Sequence, residues 1–271
     1  MNRELTPKMN PTEQETVHYE KRDRLALIRL DRPDVANAID PPTLQALGES
    51  YHRADNDEEV VVVVLHAAGP DFSVGLDPVS FLPTLQARTY SPDGPGRINP
   101  FGTTTRLSKP LVAAVQGRVG AMAHELMLAA DIRVAASDTG FSQGEVSRGT
   151  TPAGGGGLRM PLEVGWGNAM RWILTGEPWD AAEALRLGLV QEVVEPGRQL
   201  ARAVALAEMI AAHPPLALRE TLRVGRLAME GHAHQVFAEL VPALYRLLGT
   251  QDFAERLEAL REGRDPVYVG R

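Results

Sequence analysis

Two glutamates, Glu125 and Glu145, are the residues of this 271-residue chain most suited to proton-transfer chemistry. Glu125 stands among Ala121, Met122, Ala123, Leu126 and Met127, where a carboxylate either faces solvent, complements a helix dipole or has a chemical task. A helix is expected to start near Ala121, just after the strand that ends at Gln116. The free N–H groups and positive dipole end of such a start can stabilise an oxyanion that develops during a reaction. His124 adjoins Glu125 but points about 100° away on a helix, so it reads as a structural residue.

Two further stretches accompany that segment. Asp71 to Asp77 follows an apolar strand, and Gly75 within it would let backbone approach a ligand closely; a plain surface turn fits the same residues. Phe141 to Gly157 carries Glu145 and then the glycine-rich turn Ala153–Gly157. That turn lacks the Gly-Lys-Ser/Thr ending of a P-loop and the spacing of a dinucleotide fingerprint, so packing of the loop on the core is the expectation.

The elements that must position these stretches alternate between strand and helix. Val17–Glu20 and Leu25–Leu30 read as a hairpin, with the polar turn Lys21–Arg24 between them. A helix is expected over Pro41–Ala54, with Asp40 as N-cap and Pro41 at its first position. Val60–His66, Leu111–Gln116 and Ile132–Ala136 are apolar runs of strand length, as expected where both faces are buried. The Pro- and Gly-rich segment Ser91–Gly102 reads as a mobile loop. Helical periodicity then recurs near Asn168–Leu174, Ala181–Leu187, Gln199–Ala212, Leu216–Met229, Gln235–Leu248 and Asp252–Arg261. The expected organisation is a loose leader over 1–14, an α/β core over 15–200 and a C-terminal helical region over 201–271.

Composition narrows the function classes. Apolar residues make up 44%, enough for a real core, and no apolar run is long enough for a membrane span. The chain has no cysteine, which excludes disulfides, thiolate catalysis and cysteine-based metal sites. No His-x-x-x-His or mixed His/acid spacing suggests a metal. A net charge of −7 argues against nucleic acid as the main partner. A cytoplasmic protein without membrane attachment is the expectation.

Taken together, these stretches resemble the enoyl-CoA hydratase (crotonase) superfamily. Leu30-Asp-Arg-Pro-Asp-Val-Ala-Asn-Ala-Ile39 is similar to its early Arg-Pro…Asn-Ala segment, and Asp71–Asp77 and Gln116–Asp131 to its two oxyanion segments. Phe141–Gly156 is similar to the segment bearing the second acid. Leu174–Glu177, Ala184, Gly188–Val190 and the tail from Asp252 to Val267 continue the match. The resemblance implies a crotonase-like ββα spiral core with a helical C-terminal region. It also implies an acyl-CoA substrate with no separate cofactor, and a homotrimer or homohexamer assembled through the C-terminal helices.

Residue by residue, it implies Glu125 and Glu145 as the catalytic acids of an enoyl-CoA hydratase. The backbone N–H groups of Leu76 and Met122 become the oxyanion hole, and Ala36, Ala38, Gly75 and Asp77 contact coenzyme A. Other reactions of the superfamily on acyl-CoA or related carbonyl compounds, namely isomerisation, hydrolysis or decarboxylation, are the alternative. A non-catalytic binding protein with Met122 blocking its pocket is a third. Three departures stand out: Ala121-Met122-Ala123 where the family commonly has a glycine run, Pro78-Val79 where an aliphatic residue and Lys often follow Asp77, and Gly144 where Pro usually precedes the second glutamate.

Overall fold

The computed structural model describes residues 15–230 and 233–268; the expected leader, 1–14, lies outside them. Its largest element is a six-stranded sheet built from β1 (Val17–Arg22), β2 (Leu25–Leu30), β3 (Val62–Ala67), β4 (Leu111–Val115), β6 (Ile132–Ala136) and β9 (Glu192–Val194), hydrogen-bonded in that order. Only β1 and β2 run antiparallel, as a hairpin; the remaining pairs are parallel. Strand periodicity decides what each face sees. Val63, Leu65, Ala113 and Val115 point into the main core, whereas Val62, Val64, Val112 and Ala114 point to the opposite face. Helix α7 (Gln199–Ala211) covers that second face, and its small residues Ala203, Ala207 and Ala211, one turn apart, allow close packing on the strands.

Helix α1 (Pro41–Asn56) packs beside the hairpin. The Asp40 carboxylate accepts the Thr43 N–H at 2.8 Å, and Pro41 occupies the first turn, so the expected cap is present.

A second, three-stranded sheet was not legible in the sequence: β5 (Arg118–Gly120), β7 (Gly140–Ser142) and β8 (Trp179–Asp180). β5 and β7 pair in parallel with Gly120 opposite Ser142, and the Ala121 N–H extends the pairing to the Ser142 carbonyl at 2.8 Å. Helix α3 (Met122–Leu128) springs from the end of β5, and Glu145 follows the end of β7. The two acids thus leave neighbouring strands at matched register, which explains how residues distant in sequence converge.

Helix α2 (Pro78–Gln86) lies where only loop was expected, and α4 (Gly156–Val164), the helix expected after the glycine-rich turn, starts inside the glycine run. Ser91–Gly102, expected to be a mobile loop, is anchored instead. Ile98, Asn99 and Phe101 are buried. The Asn99 amide donates to Thr103 Oγ1 and Thr104 Oγ1 at 2.9 and 2.8 Å and accepts the Phe101 N–H at 2.9 Å. One buried asparagine supplies the partners that a Pro- and Gly-rich backbone lacks. The remaining helices are α5 (Trp166–Thr175), α6 (Ala181–Leu187), α8 (Pro215–Glu230), α9 (Ala233–Leu248) and α10 (Gln251–Glu262). The last two close over the end of the core where the acids lie.

Candidate active site

Backbone hydrogen bonds and one ion pair hold the loop after β3 against the small sheet. Asp71 receives the Arg118 N–H and Nε at 2.9 Å each and the second guanidinium nitrogen at 2.8 Å. Ser73 forms a parallel bridge with Val119. Buried Asn37 donates to the carbonyls of Ala68 and Asp71, both at 2.8 Å, and accepts the Arg32 N–H at 2.7 Å. The early Asn-Ala segment is thereby stapled to the loop after β3.

Gly75 has φ +93°, and a Cβ there would stand 2.5 Å from the Gly120 carbonyl oxygen. Its glycine identity is therefore required by the approach of two protein backbones, with Met122 N within 3.4 Å of the same point. The turn into α3 is strained. Ala121 adopts φ 49°, ψ −117°, a region that L residues seldom occupy. Among the described residues, the N–H groups of Leu76 and Met122 donate to no backbone carbonyl outside helices and strands, and both residues line one cavity.

That cavity, about 350 Å³, also receives Glu125 and Glu145. Both carboxylates are buried. Glu125 Oε1 accepts the N–H groups of Gly154 and Gly156 at 2.9 and 2.8 Å. The glycine-rich turn is a clamp for this side chain. A Cβ on Gly154 would lie 2.8 Å from Glu125 Oε2, and one on Gly156 would lie 3.1 Å from Oε1. Burial, then the charge of Glu145, pushes the Glu125 carboxyl well above the usual range, against the pull of the two glycine amides. Burial also raises Glu145, opposed in part by Arg148 and Gln143. Glu145 Oε1 accepts the Gln143 amide at 2.8 Å, whereas Oε2 is buried with no protein partner. An orphaned carboxylate oxygen beside a cavity is a ready site for a water.

His124 stays on the core side, buried edge-on against Trp179, and burial lowers it to about 4. Its Nδ1 lies 2.5 Å from Gln143 Oε1. A neutral imidazole donating there fixes the flip of the Gln143 amide and so aims its NH₂ at Glu145. Gln143 was missed in the sequence; its place two residues before Glu145, at the end of a strand, was the available signal.

Ala36 and Ala38 are half-buried beside the site, and their carbonyls accept from Val74 N–H and the Arg32 guanidinium. They do not line the cavity. Asp77 caps α2, accepting from Val79 and Ser80 N–H and from Ser80 Oγ. The cavity's opposite wall comes from the C-terminal helices, through Leu244 and Leu248 of α9 and Phe253, Arg256, Leu257 and Leu260 of α10. Among the described residues no cluster of three His, Asp or Glu side chains is arranged to hold a metal ion, and no helix is long and apolar enough to cross a membrane.

A mixed α/β core of two sheets, roofed by C-terminal helices over a cavity with two buried acids, is the architecture to set beside known proteins. The sequence model of the enoyl-CoA hydratase/isomerase family matches residues 20–271, and the chain belongs to this family. It is 33% identical over 261 residues to an enoyl-CoA hydratase of Mycobacterium tuberculosis, covering 93% of this chain and 96% of that one. A probable enoyl-CoA hydratase/isomerase from Mycobacterium abscessus superposes with TM-score 0.78 at 39% identity, over 96% of this chain and all (100%) of the other. Carnitinyl-CoA hydratase from Mycobacterium avium superposes with TM-score 0.85 at 32% identity, over 96% and 100%. The fold is therefore the mixed α/β crotonase fold.

Proposed function

We propose that the protein adds water across the 2,3 double bond of an enoyl-CoA thioester. The observation that carries this reading is the convergence of Glu125, Glu145, Leu76 and Met122 on one cavity, with Glu145 Oε2 unpartnered and the two amides outside the backbone network. A thioester carbonyl seated between the Leu76 and Met122 N–H groups gains charge as water attacks the β-carbon. Fixed donors stabilise that enolate without rearranging, and losing one such donor costs roughly 10²–10³ in rate in comparable sites. Glu145 takes the proton from water as the C–O bond forms, and returns it to the α-carbon as the enolate collapses. Glu125, immobilised by the Gly154 and Gly156 amides, orients the water and shares the base role. The two buried acids titrate as a pair, so the proton belongs to the pair rather than to either residue alone.

The test is the loss of ultraviolet absorbance of short and medium 2-enoyl-CoA thioesters, repeated with Glu125→Gln and Glu145→Gln. Hydration by the wild type and a drop of about 10³ or more in kcat for either variant are expected. An inert wild type, or variants near the wild-type rate, would overturn the reading. An isomerase needs only one carboxylate base, so activity surviving one of the two substitutions points to isomerisation.

A further inference from the structure

The cavity that receives the two acids is also lined by two guanidinium groups, those of Arg148 and Arg256. Arg148 lies three residues beyond Glu145, at the end of the short 3-10 turn Val146–Arg148. Arg256 lies on the inner side of α10, one turn after Phe253. The two segments touch: a Cβ on Gly149 would be 3.6 Å from Phe253 Cα. Both arginines line the cavity, Arg148 exposed and Arg256 half-buried. Among the described residues, neither guanidinium has a carboxylate ion pair or a hydrogen bond, whereas Arg133, Arg202 and Arg264 elsewhere all have acid partners. The helical part of this wall is otherwise Leu244, Leu248, Phe253, Leu257 and Leu260, none of which offers a polar group. Two cations without a hydrogen bond or ion pair among the described residues, beside an apolar helical wall, are a receptor for an anion at the end of an apolar chain.

The direction of the substrate says which end that is. With the thioester oxygen between Leu76 and Met122, the acids must face the α- and β-carbons. Arg148 lies on the segment that carries Glu145 and Arg256 on the helix beside it, whereas Leu76 and Met122 lie on the loop after β3 and at the start of α3; an acyl chain that runs from those two amides past Glu145 meets the arginines. We infer that the preferred substrate is a 2-enoyl thioester whose acyl chain ends in a carboxylate, held by Arg148 and Arg256. This rests on the hydratase reading and sharpens it. Guanidinium–carboxylate bonds are charge-assisted and strong in partly desolvated surroundings, and the same charges disfavour a cationic tail.

The experiment compares chains of matched length ending in carboxylate, methyl or trimethylammonium. For wild type, kcat/KM should rank carboxylate above methyl above trimethylammonium, with at least about tenfold between the first two. In the Arg148→Gln/Arg256→Gln double variant the carboxylate-to-methyl ratio should fall to near one. The double Lys variant should keep the order. A ratio near one in wild type, or a preference that survives the double Gln variant, overturns the inference while leaving methyl-ended hydration as support for a hydratase. If the arginines served coenzyme A instead, the double variant would weaken all three substrates alike and leave the ratio unchanged, which also overturns it. Should wild type hydrate none of the series, the hydratase reading fails, and calorimetric binding of the saturated carboxylate- and methyl-ended thioesters decides the inference alone. Carboxylate binding about tenfold tighter, lost in the double variant, upholds it; equal binding overturns it.

Discussion

The two walls of the cavity are built by different physics. The core wall, from Gly75 through α3 to the glycine turn, is held by backbone contacts: Gly75 against Gly120, Ala121 N–H on the Ser142 carbonyl, Gly154 and Gly156 N–H on Glu125. The helical wall, from α9 and α10, offers side chains, and polar ties to the core such as Tyr245 Oη accepting the Tyr90 N–H at 3.1 Å and Tyr268 Oη reaching the Ser147 carbonyl at 3.3 Å. Backbone donors cannot be exchanged by substitution, whereas an aliphatic helix face can be. On the proposed hydratase reading, the first wall carries the chemistry and the second the choice of acyl chain.

The sharpest way to break that division is Gly154→Ala. The added methyl must displace Glu125 or Phe101, each 2.8 Å from its position. A misplacement of about 1 Å at a reacting group costs on the order of 10² in rate. We expect kcat to fall by about that factor with KM changed little. Equal loss in KM alone would mean that the glycine turn shapes binding, not the acid.

The acid pair predicts a pH profile next in size. A base must be ionised, and burial holds both carboxyls above the ordinary glutamate value of 4.5. Hydration should therefore fall as pH drops, along a limb lying above that value, by about tenfold per unit below it. In Glu145→Gln the residual activity should keep a limb shifted to lower pH, because Glu125 loses the neighbouring charge that raises it. Stability should move the other way. A carboxyl whose folded pKa is raised destabilises the fold increasingly as pH climbs from its unfolded value through the folded one. Glu125→Gln should thus be more resistant to urea than wild type at pH 8, with the gain shrinking toward pH 4.5. An identical midpoint at both values would show that the folded-state pKa is not raised.

What the sequence disclosed follows the same boundary. Long apolar strands and α1 were legible, since Val60–His66 and the Asp40–Pro41 cap are local signals. The acids were legible as candidates through their surroundings and the family resemblance. Their meeting was not, because it depends on a sheet of two- and three-residue strands, too short to leave a period. The glycine run looked like a turn, and only the coordinates reveal a carboxylate between its amides. Arg148 and Arg256 carried no signal at all, since surface arginines are common and their shared cavity is a tertiary property.

The helical wall should respond to truncation through binding. Phe253 and Leu257 are half-buried on the inner face of α10. Removing either side chain loses part of the roughly 1.5–3 kcal/mol available from full burial of such a group. For Leu257→Ala, KM should rise about three- to tenfold for medium-chain substrates and barely for the shortest, at a kcat within about twofold of wild type. A kcat collapse would place this wall within the catalytic machinery and erase the contrast.

The smallest effect tests strain in the core wall itself. Positive φ at non-glycine residues occurs at Ala36, Asn37 and Ala121 around the site, whereas the described residues of α9, α10 and the following tail show it only at a glycine, Gly263. Asn37 is compensated by its three side-chain hydrogen bonds, but Ala121 has only its backbone bonds, its N–H on the Ser142 carbonyl and its carbonyl accepting the Glu125 N–H, and a methyl group that disfavours the conformation. Ala121→Gly removes that steric penalty, and the added chain entropy of glycine in the unfolded state offsets part of it. A net gain of about 1 kcal/mol in urea denaturation is expected, with kcat within about twofold of wild type because the Met122 N–H keeps its aim. A loss of stability would mean that the surroundings over-determine this turn so fully that the methyl contributes packing instead of strain; a fall in kcat would mean that the strain holds the Met122 amide in place, and that rigidity here serves the reaction directly.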